Sequence, residues 1–197
     1  MIIRKKFKFE MAHIVRQCTS ERCKKSIHGH SFIVEVLLEG GTLDRGQMIM
    51  DFALFKPVIG KILDSFDHSY AFWDREHPEF KEAIKRMSER WVQLSFSPSA
   101  ESLSLFFVKV FRRVLRMTSF GNGENGVSVN SVIVHETATG YAQAFNFDMA
   151  WWNTDLKLIE FSPAVIEDWK DPTLWKDILE KKRVFTNETI ELDNNLQ

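Results

Sequence analysis

Apolar and polar side chains alternate along two segments near the start of the chain, residues 2–14 and residues 31–39. Such alternation is typical of β-strands with one buried face. The polar stretch 15–27 between them is predicted to be a loop, and Gly40-Gly41 ends the second strand. The apolar residues that share the buried parity are Phe7, Phe9, Met11, Phe32, Val34, Val36 and Leu38.

Apolar residues recur with helical spacing in three later segments. Asp51 is well placed to cap the first helix, and Pro57 falls in its early turns, where a missing N–H does least harm. A second amphipathic helix is predicted over residues 79–92, and a third begins at Ser97-Pro98-Ser99. The three buried stripes are Phe55, Ile59, Ile62, Leu63 and Phe66; Phe80, Ala83, Ile84, Met87 and Trp91; and Leu103, Phe106, Phe107, Val110, Val114 and Leu115.

A glycine-rich loop at residues 121–126 precedes a third predicted strand, residues 127–136, and a fourth strand begins near Tyr141 after the turn at Thr139-Gly140. The order strand, strand, helix, helix, strand, strand predicts an α+β fold in which helices cover one face of an antiparallel sheet.

We divide the chain into a domain of residues 1–150, with an inserted helix near residues 72–96, and a C-terminal extension of residues 151–197. Four tryptophans make the extension too apolar for a disordered tail. A short helix is predicted to open at Asp171-Pro172-Thr173, and residues 187–197 are expected to be mobile.

Composition narrows the class of protein. Hydrophobic residues make up 44% of the 197 and charged residues 27%, as in ordinary soluble globular proteins. The net charge of -1 provides no global attraction to nucleic acid or membrane, although a local basic cluster is not excluded. The chain starts without a signal-like apolar run, and no segment has the apolar length of a membrane span. We therefore expect a cytoplasmic protein with no nucleic acid partner and no membrane partner, in which Cys18 and Cys23 are free thiols.

Candidate chemistry begins at His28-Gly29-His30. Alternate residues of a strand point to one face, so His28 and His30 would project two imidazoles side by side. His13 has the parity of the buried face of the first strand and could supply a third imidazole. Three nitrogen ligands with one open position are the pattern of a catalytic zinc site. A His-x-His pair alone predicts a metal weakly, and a single strand histidine is more often a surface or hydrogen-bonded side chain.

Other polar residues have ordinary structural interpretations. Asp67-His68 could be an acid–base pair, or a helix cap with a cation at the C-terminal end of the helix dipole. Taken alone, Glu136 would pair with a surface lysine, and Glu101 would be an ordinary first-turn carboxylate. We interpret Asp51 as structural, and Cys18 has no assigned role.

Five short motifs occur in a fixed order between residues 7 and 145. They are Phe9-x-x-x-His13, Cys23 followed by His28-Gly29-His30, Met-Ile-Met-Asp-Phe at residues 48–52, Asp67-His68, and His135-Glu136-Thr137. Each motif is weak alone, but the set is specific because both order and placement are kept. The chain thereby resembles the 6-pyruvoyl-tetrahydropterin synthases and the related 6-carboxy-tetrahydropterin synthases of the queuosine pathway.

This resemblance implies a tunnel fold, in which ββααββ subunits associate into a trimeric barrel and two barrels stack. We therefore expect a homo-oligomer, a trimer or hexamer, with active sites between subunits. The resemblance further implies that zinc (Zn2+) is held by His13, His28 and His30. It assigns the anchoring of a pterin triphosphate substrate to Glu136, with Glu101 as a second substrate-binding position. Proton transfer is assigned to Cys23, Asp67 and His68.

The implied activity is that of a zinc-dependent lyase that converts 7,8-dihydroneopterin triphosphate to 6-carboxy-5,6,7,8-tetrahydropterin. The alternative is a 6-pyruvoyl-tetrahydropterin synthase, which eliminates triphosphate and keeps the side-chain carbons. Four residues separate Cys23 from His28, whereas the carboxy type has three and the mammalian pyruvoyl type has five, so the spacing leaves the subtype open. A third reading, from another class, is a pterin-binding protein without catalysis.

Overall fold

A computed structural model describes residues 1–186 of the protein. The segment 187–197, for which the sequence predicts mobility, lies outside the described residues. The two predicted N-terminal strands are confirmed as β1, Ile2–His13, and β2, His28–Glu39. They pair antiparallel with His13 opposite His28 and Met11 opposite His30. This register brings the end of β1 to the start of β2.

The remaining strands and helices alternate along the chain. The strands are β3 (Ser69–Trp73), β4 (Trp91–Leu94), β5 (Thr118–Ser119), β6 (Ser128–His135), β7 (Tyr141–Phe145), β8 (Glu160–Phe161) and β9 (Phe185–Thr186). The helices are α1 (Glu21–Lys25), α2 (Lys61–Asp64), α3 (Pro78–Met87), α4 (Ala100–Arg116), α5 (Pro163–Asp168) and α6 (Leu174–Glu180). Among the described residues, no helix has both the length and the apolar character needed to cross a bilayer.

One large sheet organises the described residues, in the strand order β7-β6-β2-β1-β3-β4-β8. Its first four strands pair antiparallel, as predicted, whereas β3 runs parallel to both β1 and β4. Within residues 1–186 the sheet is open, with β7 and β8 at its two edges, and β5 and β9 form a separate pair.

The long helix α4 packs on one face of this sheet. Its apolar stripe is the predicted one, and Phe107 lies with its ring centroid 5.3 Å from that of Phe66 and 6.5 Å from that of Phe9. Ser99 caps the helix by accepting a hydrogen bond from the Ser102 amide. The residue before the cap, Pro98, is hydrogen-bonded to His13, which places the N-terminus of α4 beside the C-terminal end of β1.

The helical segment after Asp51 is less regular than predicted. Asp51 caps it as expected, accepting from the Ala53 amide at 2.7 Å. The chain then forms a 3₁₀ turn, Phe52–Phe55, and a wide π-type turn, Lys56–Gly60, before α2. Pro57 lies in the wide turn and has no amide hydrogen for a regular helical bond.

The insertion forms more than the predicted helix. The helix α3 ends at Met87, earlier than the predicted residue 92, and Trp91 belongs to β4, which pairs with β3. Arg90 makes the turn between them, because its guanidinium donates to the Asp64 and Asp67 carbonyl oxygens. Phe80 of α3 packs with Ala12, whose parity is opposite to that of the core residue Met11. The helix α3 therefore covers the opposite face of the sheet from α4.

The C-terminal extension packs into the main core. Its strand β8 pairs antiparallel with β4 at the sheet edge. Trp169 is 2% exposed and donates its indole N–H to the Ser65 hydroxyl at 2.9 Å. The predicted helix after Asp171-Pro172-Thr173 is α6. The buried apolar residues that the extension adds to the core are Leu156, Ile159, Phe161, Val165, Trp169, Leu174 and Ile178.

Candidate metal centre and substrate cavity

The ends of β1 and β2 bring three imidazoles together. The side chains of His13, His28 and His30 lie on the same face of the sheet, because His13 is paired with His28. One ring nitrogen from each lies within 4.8 Å of those of the other two. The ring centroids of His13 and His28 are 4.6 Å apart, and those of His28 and His30 are 5.2 Å apart. The predicted convergence of the three side chains is therefore present in a single chain.

Gly29 allows the two strands to approach at this point. A Cβ atom at position 29 would lie 3.1 Å from the carbonyl oxygen of Met11 and 3.6 Å from Cα of Ala12. The contact with the Met11 oxygen is tighter than most Cβ contacts in packed proteins, whereas the contact with Ala12 is ordinary. A side chain at position 29 would therefore push against β1 beside the histidine cluster.

Burial and one hydrogen bond determine the protonation state and the tautomer of His13. Its side chain is completely buried, and Nδ1 donates to the carbonyl oxygen of Pro98 at 2.7 Å, since a carbonyl can only accept. Burial is the main reason why the pKa of His13 falls to about 4, so the ring is neutral at pH 7. The lone pair is consequently on Nε2, which is buried and has no hydrogen-bond partner in residues 1–186.

The three histidines fit a divalent metal. A buried nitrogen lone pair that neither accepts a hydrogen bond nor binds an ion destabilises the fold, so this nitrogen indicates a bound ligand. His28 also uses Nδ1 as a donor, to the carbonyl oxygen of Ser26 at 3.0 Å, which leaves its Nε2 available. Backbone bonds of this kind orient histidine ligands in metal sites. A set of neutral imidazoles suits zinc rather than calcium or magnesium, which prefer oxygen.

A cavity of 490 Å³ opens beside the cluster and contains most of the predicted site residues. Glu136 lies at its edge, with Oε1 3.5 Å from Nε2 of His13. The predicted residues that line the cavity are Cys23, His28, His30, Glu101 and Glu136. The structure therefore places a thiol and two carboxylates around the same space as the histidine cluster.

The loop that carries Cys23 is more ordered than predicted. Residues 21–25 form α1 within the segment predicted to be a loop. The Val15 amide donates to the Cys23 carbonyl oxygen, and Arg16 donates to that of Lys24 at 2.8 Å. Arg16 also pairs with Glu76 of the insertion at 2.8 Å. The insertion thus helps to hold the thiol at the cavity.

His68 lines a different cavity, of 540 Å³, and Asp67 precedes it in the chain. Glu10 and Ser31, which have the opposite parity to the histidine ligands, line this cavity with His68, and His30 lies at the border of both. The dyad itself is formed, because the Asp67 carboxylate accepts from His68 Nδ1 at 2.9 Å. Within one chain, however, the dyad does not share the cavity that contains Cys23 and Glu136.

The surroundings of Asp67 favour the ionised form of its carboxyl group. Burial raises the pKa of its carboxyl, but hydrogen bonds from the Glu10 amide and from His68 outweigh burial and hold the pKa below its ordinary value. His68 has a positive φ of 52° and a largely exposed ring. The carboxylate therefore orients the His68 ring and leaves its Nε2 available outward.

Three features of the cavity were missed by the sequence analysis. The Pro98 carbonyl group gives no sequence signal, because any residue supplies a backbone oxygen. Cys18 lines the same cavity as Cys23, and its proximity in sequence was the available signal. Tyr141 also lines the cavity, is 63% exposed, and has its ring centroid 5.3 Å from that of His135.

These features define the class: an α+β fold with an open three-histidine site and a carboxylate beside it. A family model described as 6-pyruvoyl tetrahydropterin synthase matches residues 2–146. The chain belongs to this family.

Relatives extend the match beyond the family model. A protein of Helicobacter pylori strain J99, named 6-carboxy-5,6,7,8-tetrahydropterin synthase, is 38% identical over 192 residues, 94% of this chain and 95% of the relative. A protein of the same name from Aquifex aeolicus is 31% identical over 157 residues, 72% of this chain and 95% of the relative. Tetrahydropterin synthases are lyases, so the named relatives are enzymes of that class.

Solved structures confirm the tunnel fold predicted from the sequence. An uncharacterized protein from Wolinella succinogenes has a TM-score of 0.58 at 22% identity, covering 74% of this chain and 98% of its own. The 6-pyruvoyl tetrahydropterin synthase of Caenorhabditis elegans has a TM-score of 0.51 at 18% identity, covering 74% of this chain and 95% of its own. At these identities the likeness concerns the fold alone.

Proposed function

We propose that this protein is a 6-carboxy-5,6,7,8-tetrahydropterin synthase, a zinc-dependent lyase acting on 7,8-dihydroneopterin triphosphate. The names of its relatives support this activity. The observation that carries the proposal is the buried Nε2 of His13, which lacks a hydrogen-bond partner among the described residues and belongs to a three-histidine cluster beside Glu136. A pterin-binding protein without catalysis would need the carboxylate but not this cluster.

Glu136 anchors the substrate in the proposed complex. An ionised carboxylate can accept two parallel N–H bonds from the amide-like edge of a pterin ring. Because Oε1 is close to Nε2 of His13, a ring held by Glu136 has its side chain next to the histidine cluster. Glu101, in the first turn of α4, lines the same space and is our second substrate-binding residue.

His13, His28 and His30 would hold the zinc ion. When bound, zinc supplies Lewis acidity, which makes a C–H bond next to a coordinated oxygen easier to deprotonate. His13 and His28 can present Nε2 lone pairs because their Nδ1–H groups donate hydrogen bonds to backbone carbonyl oxygens. The buried position of His13 excludes water from one side of the site.

Proton transfer is assigned to the thiol and to the acid–base dyad. Cys23 accepts a proton only as a thiolate, and the backbone bonds of the 15–25 loop hold it at the cavity. His68 donates or accepts a proton through Nε2 while Asp67 holds Nδ1. Since His68 lines the other cavity, we assign the dyad to the active site of a neighbouring copy in a homo-oligomer, a trimer or hexamer. A cytoplasmic location stays a prediction.

One turnover experiment tests the activity. Purified zinc-loaded protein is incubated with 7,8-dihydroneopterin triphosphate, and acetaldehyde, triphosphate and the pterin product are measured. Acetaldehyde together with 6-carboxy-5,6,7,8-tetrahydropterin supports the proposal. Triphosphate release with the three-carbon side chain retained would identify the pyruvoyl type instead. Binding of the pterin without turnover would identify a binding protein.

Two variants test the assigned roles. Glu136→Gln is expected to weaken pterin binding by at least about tenfold, because one charge-assisted acceptor is replaced. Cys23→Ala is expected to lower turnover by at least about a hundredfold while leaving the bound zinc in place. Unchanged affinity in the first variant, or an unchanged rate in the second, would remove that residue from the mechanism.

A further inference from the structure

A third cavity, of 410 Å³, lies at the C-terminal end of α4 and is lined by positively charged side chains. No carboxylate is among its lining residues in the part of the chain that the structure describes. The cations are Lys109, Arg112, Arg113, Arg116, Lys181 and Arg183. We call this group the basic cavity.

Four of these cations form a stripe along α4. Lys109, Arg112, Arg113 and Arg116 are spaced i, i+3, i+4 and i+7, so they share one helical face. Cations at a helix C-terminus are favoured by the helix dipole, but that effect falls off within the last turn. Lys109 and Arg112 lie before or at the margin of that turn. The dipole therefore explains only part of the stripe.

Half of the cations already have partners. Lys109 donates to the Thr154 carbonyl oxygen at 2.6 Å, and Arg113 to that of Leu179 at 3.3 Å. Arg183 pairs with the Asp171 carboxylate.

The other three cations are available to a ligand. The side chains of Arg112, Arg116 and Lys181 form no hydrogen bond or ion pair within residues 1–186. Two guanidinium groups and one ammonium group thus face a shared space without a counter-charge.

The like charges in the basic cavity repel one another. Burial, followed by the charge of Arg116, lowers the pKa of Arg112 below its ordinary value. Burial and the charge of Arg113 likewise lower the pKa of Lys109. A bound anion would offset both effects, because it would replace lost solvation and oppose the repulsion.

We propose that the basic cavity binds an oligophosphate, the chemistry shared by inorganic triphosphate and nucleoside triphosphates. Guanidinium groups match phosphoryl oxygens in pairs, and several unpaired cations suit a ligand with several negative charges. Glu101 and Arg116 are fifteen positions apart on α4, or about 22 Å along its axis. The basic cavity is therefore separate from the histidine cluster of the same chain, and the inference stands whether or not the proposed lyase activity is confirmed.

A rival occupant is encoded in the chain itself. The segment 187–197 follows the residues that line the cavity, and it contains Glu188, Glu191 and Asp193 but no lysine, arginine or histidine. We favour the oligophosphate because one compact ligand carries several negative charges, whereas the three carboxylates of the tail are spread over residues 188–193. The tail is treated as an outcome of the test.

Isothermal titration of the full chain with inorganic triphosphate tests the proposal. The double variant Arg112→Gln/Arg116→Gln is expected to lose one binding site per chain, or to bind there at least about tenfold more weakly, because two charge-assisted contacts are removed. Arg86→Gln is the matched control, since Arg86 is also an exposed arginine in the last turn of a helix, α3. Thermal melting curves check that all variants are folded.

Equal stoichiometry and affinity in the wild type and the double variant would overturn the proposal. So would binding that appears only in the full-length variant Glu188→Gln/Glu191→Gln/Asp193→Asn, because the tail would then be the occupant. Tighter binding of a short single-stranded RNA than of triphosphate would also overturn it. Comparison of inorganic triphosphate with ATP distinguishes the two sources of the same chemistry, and a site lost in the double variant for either one supports the proposal.

Discussion

At the scale of single residues, the site depends on which nitrogen of each histidine carries the proton. Backbone carbonyls accept the Nδ1 protons of His13 and His28 and thereby direct both Nε2 atoms into the cluster. The motif predicted the histidines, but the Pro98 carbonyl that fixes His13 comes from a distant segment. Sequence alone therefore predicts the ligands better than it predicts what orients them.

Metal content is the direct test of the cluster. Wild-type protein is expected to retain about one zinc per chain after dialysis, whereas His28→Ala should lose nearly all of it, because two imidazoles hold zinc poorly. His77→Ala, an exposed histidine at the start of α3, is the control. Elemental analysis measures both variants. Full zinc occupancy in His28→Ala would contradict the assignment.

Glu35 predicts a pH dependence of stability. Burial raises the pKa of this carboxyl, but its hydrogen bond with His135 and the charges of Arg4 and Lys6 outweigh burial and hold the pKa below its ordinary value. A lowered folded-state pKa stabilises the fold above the unfolded-state pKa, and this stabilisation is lost as the pH falls through the folded value.

Glu35→Gln should therefore lower the free energy of unfolding by about 2 kcal/mol near pH 7 and by progressively less as the medium becomes acidic. Urea unfolding at several pH values measures the effect. Glu79→Gln, an exposed carboxylate on α3, provides the comparison and should change stability by less than about 0.5 kcal/mol. A loss in Glu35→Gln that grows toward acid would contradict the assigned direction.

The ion pair between Arg16 and Glu76 is expected to stabilise the loop that carries Cys23. Glu76→Gln should speed hydrogen exchange of the Val15 amide, which bonds to the Cys23 carbonyl oxygen, by about tenfold. Glu89→Gln, an exposed carboxylate of the same insertion, should leave this exchange unchanged. Equal protection in both variants would remove the insertion from the support of the loop.

At the scale of elements, periodicity predicted β1, β2, β6, β7 and α4 because each has one clear buried face. Between residues 69 and 94 it predicted the helix α3 but missed the strands on either side of it. There β3 and β4 are short and buried on both faces, so neither shows alternation. Trp91 also lies at helical spacing from the apolar residues of α3 and was therefore placed in that helix. In the structure the chain turns at Arg90, whose guanidinium donates to carbonyl oxygens distant in sequence.

The extension is expected to be required for stability. Trp169→Ala should lower the free energy of unfolding by about 3–5 kcal/mol, because it removes a buried ring and its hydrogen bond to Ser65. Trp151→Ala is the control, since Trp151 is 67% exposed and should change stability by less than about 0.5 kcal/mol. Urea unfolding distinguishes the two. Equal stability of both variants would show that the extension packs only loosely.

At the scale of the whole molecule, the two proposed proton-transfer residues line different cavities of one chain, Cys23 one and His68 the other. Chains of Cys23→Ala and His68→Ala should each be inactive. Mixed oligomers formed by co-expression should regain about one quarter of wild-type activity, because a quarter of randomly assembled sites combine one intact Cys23 with one intact His68.

The control for this experiment is each variant mixed with itself, which should stay inactive. Recovery would place the dyad and the thiol on different copies. Mixed oligomers that remain as inactive as the separate variants would mean that both residues act within a single chain, and the assignment of His68 to a neighbouring copy would be wrong.

The pairing of β4 with β8 ties the insertion to the extension. Lys85 and Arg90 reinforce it through ion pairs with Glu160 and Asp168. If a homologous chain lost one of these segments during evolution, the strand of the other segment would expose unpaired backbone groups at the sheet edge, where other chains could pair with it and aggregate. The two segments should therefore be gained and lost together, and shorter members of the family should lack both.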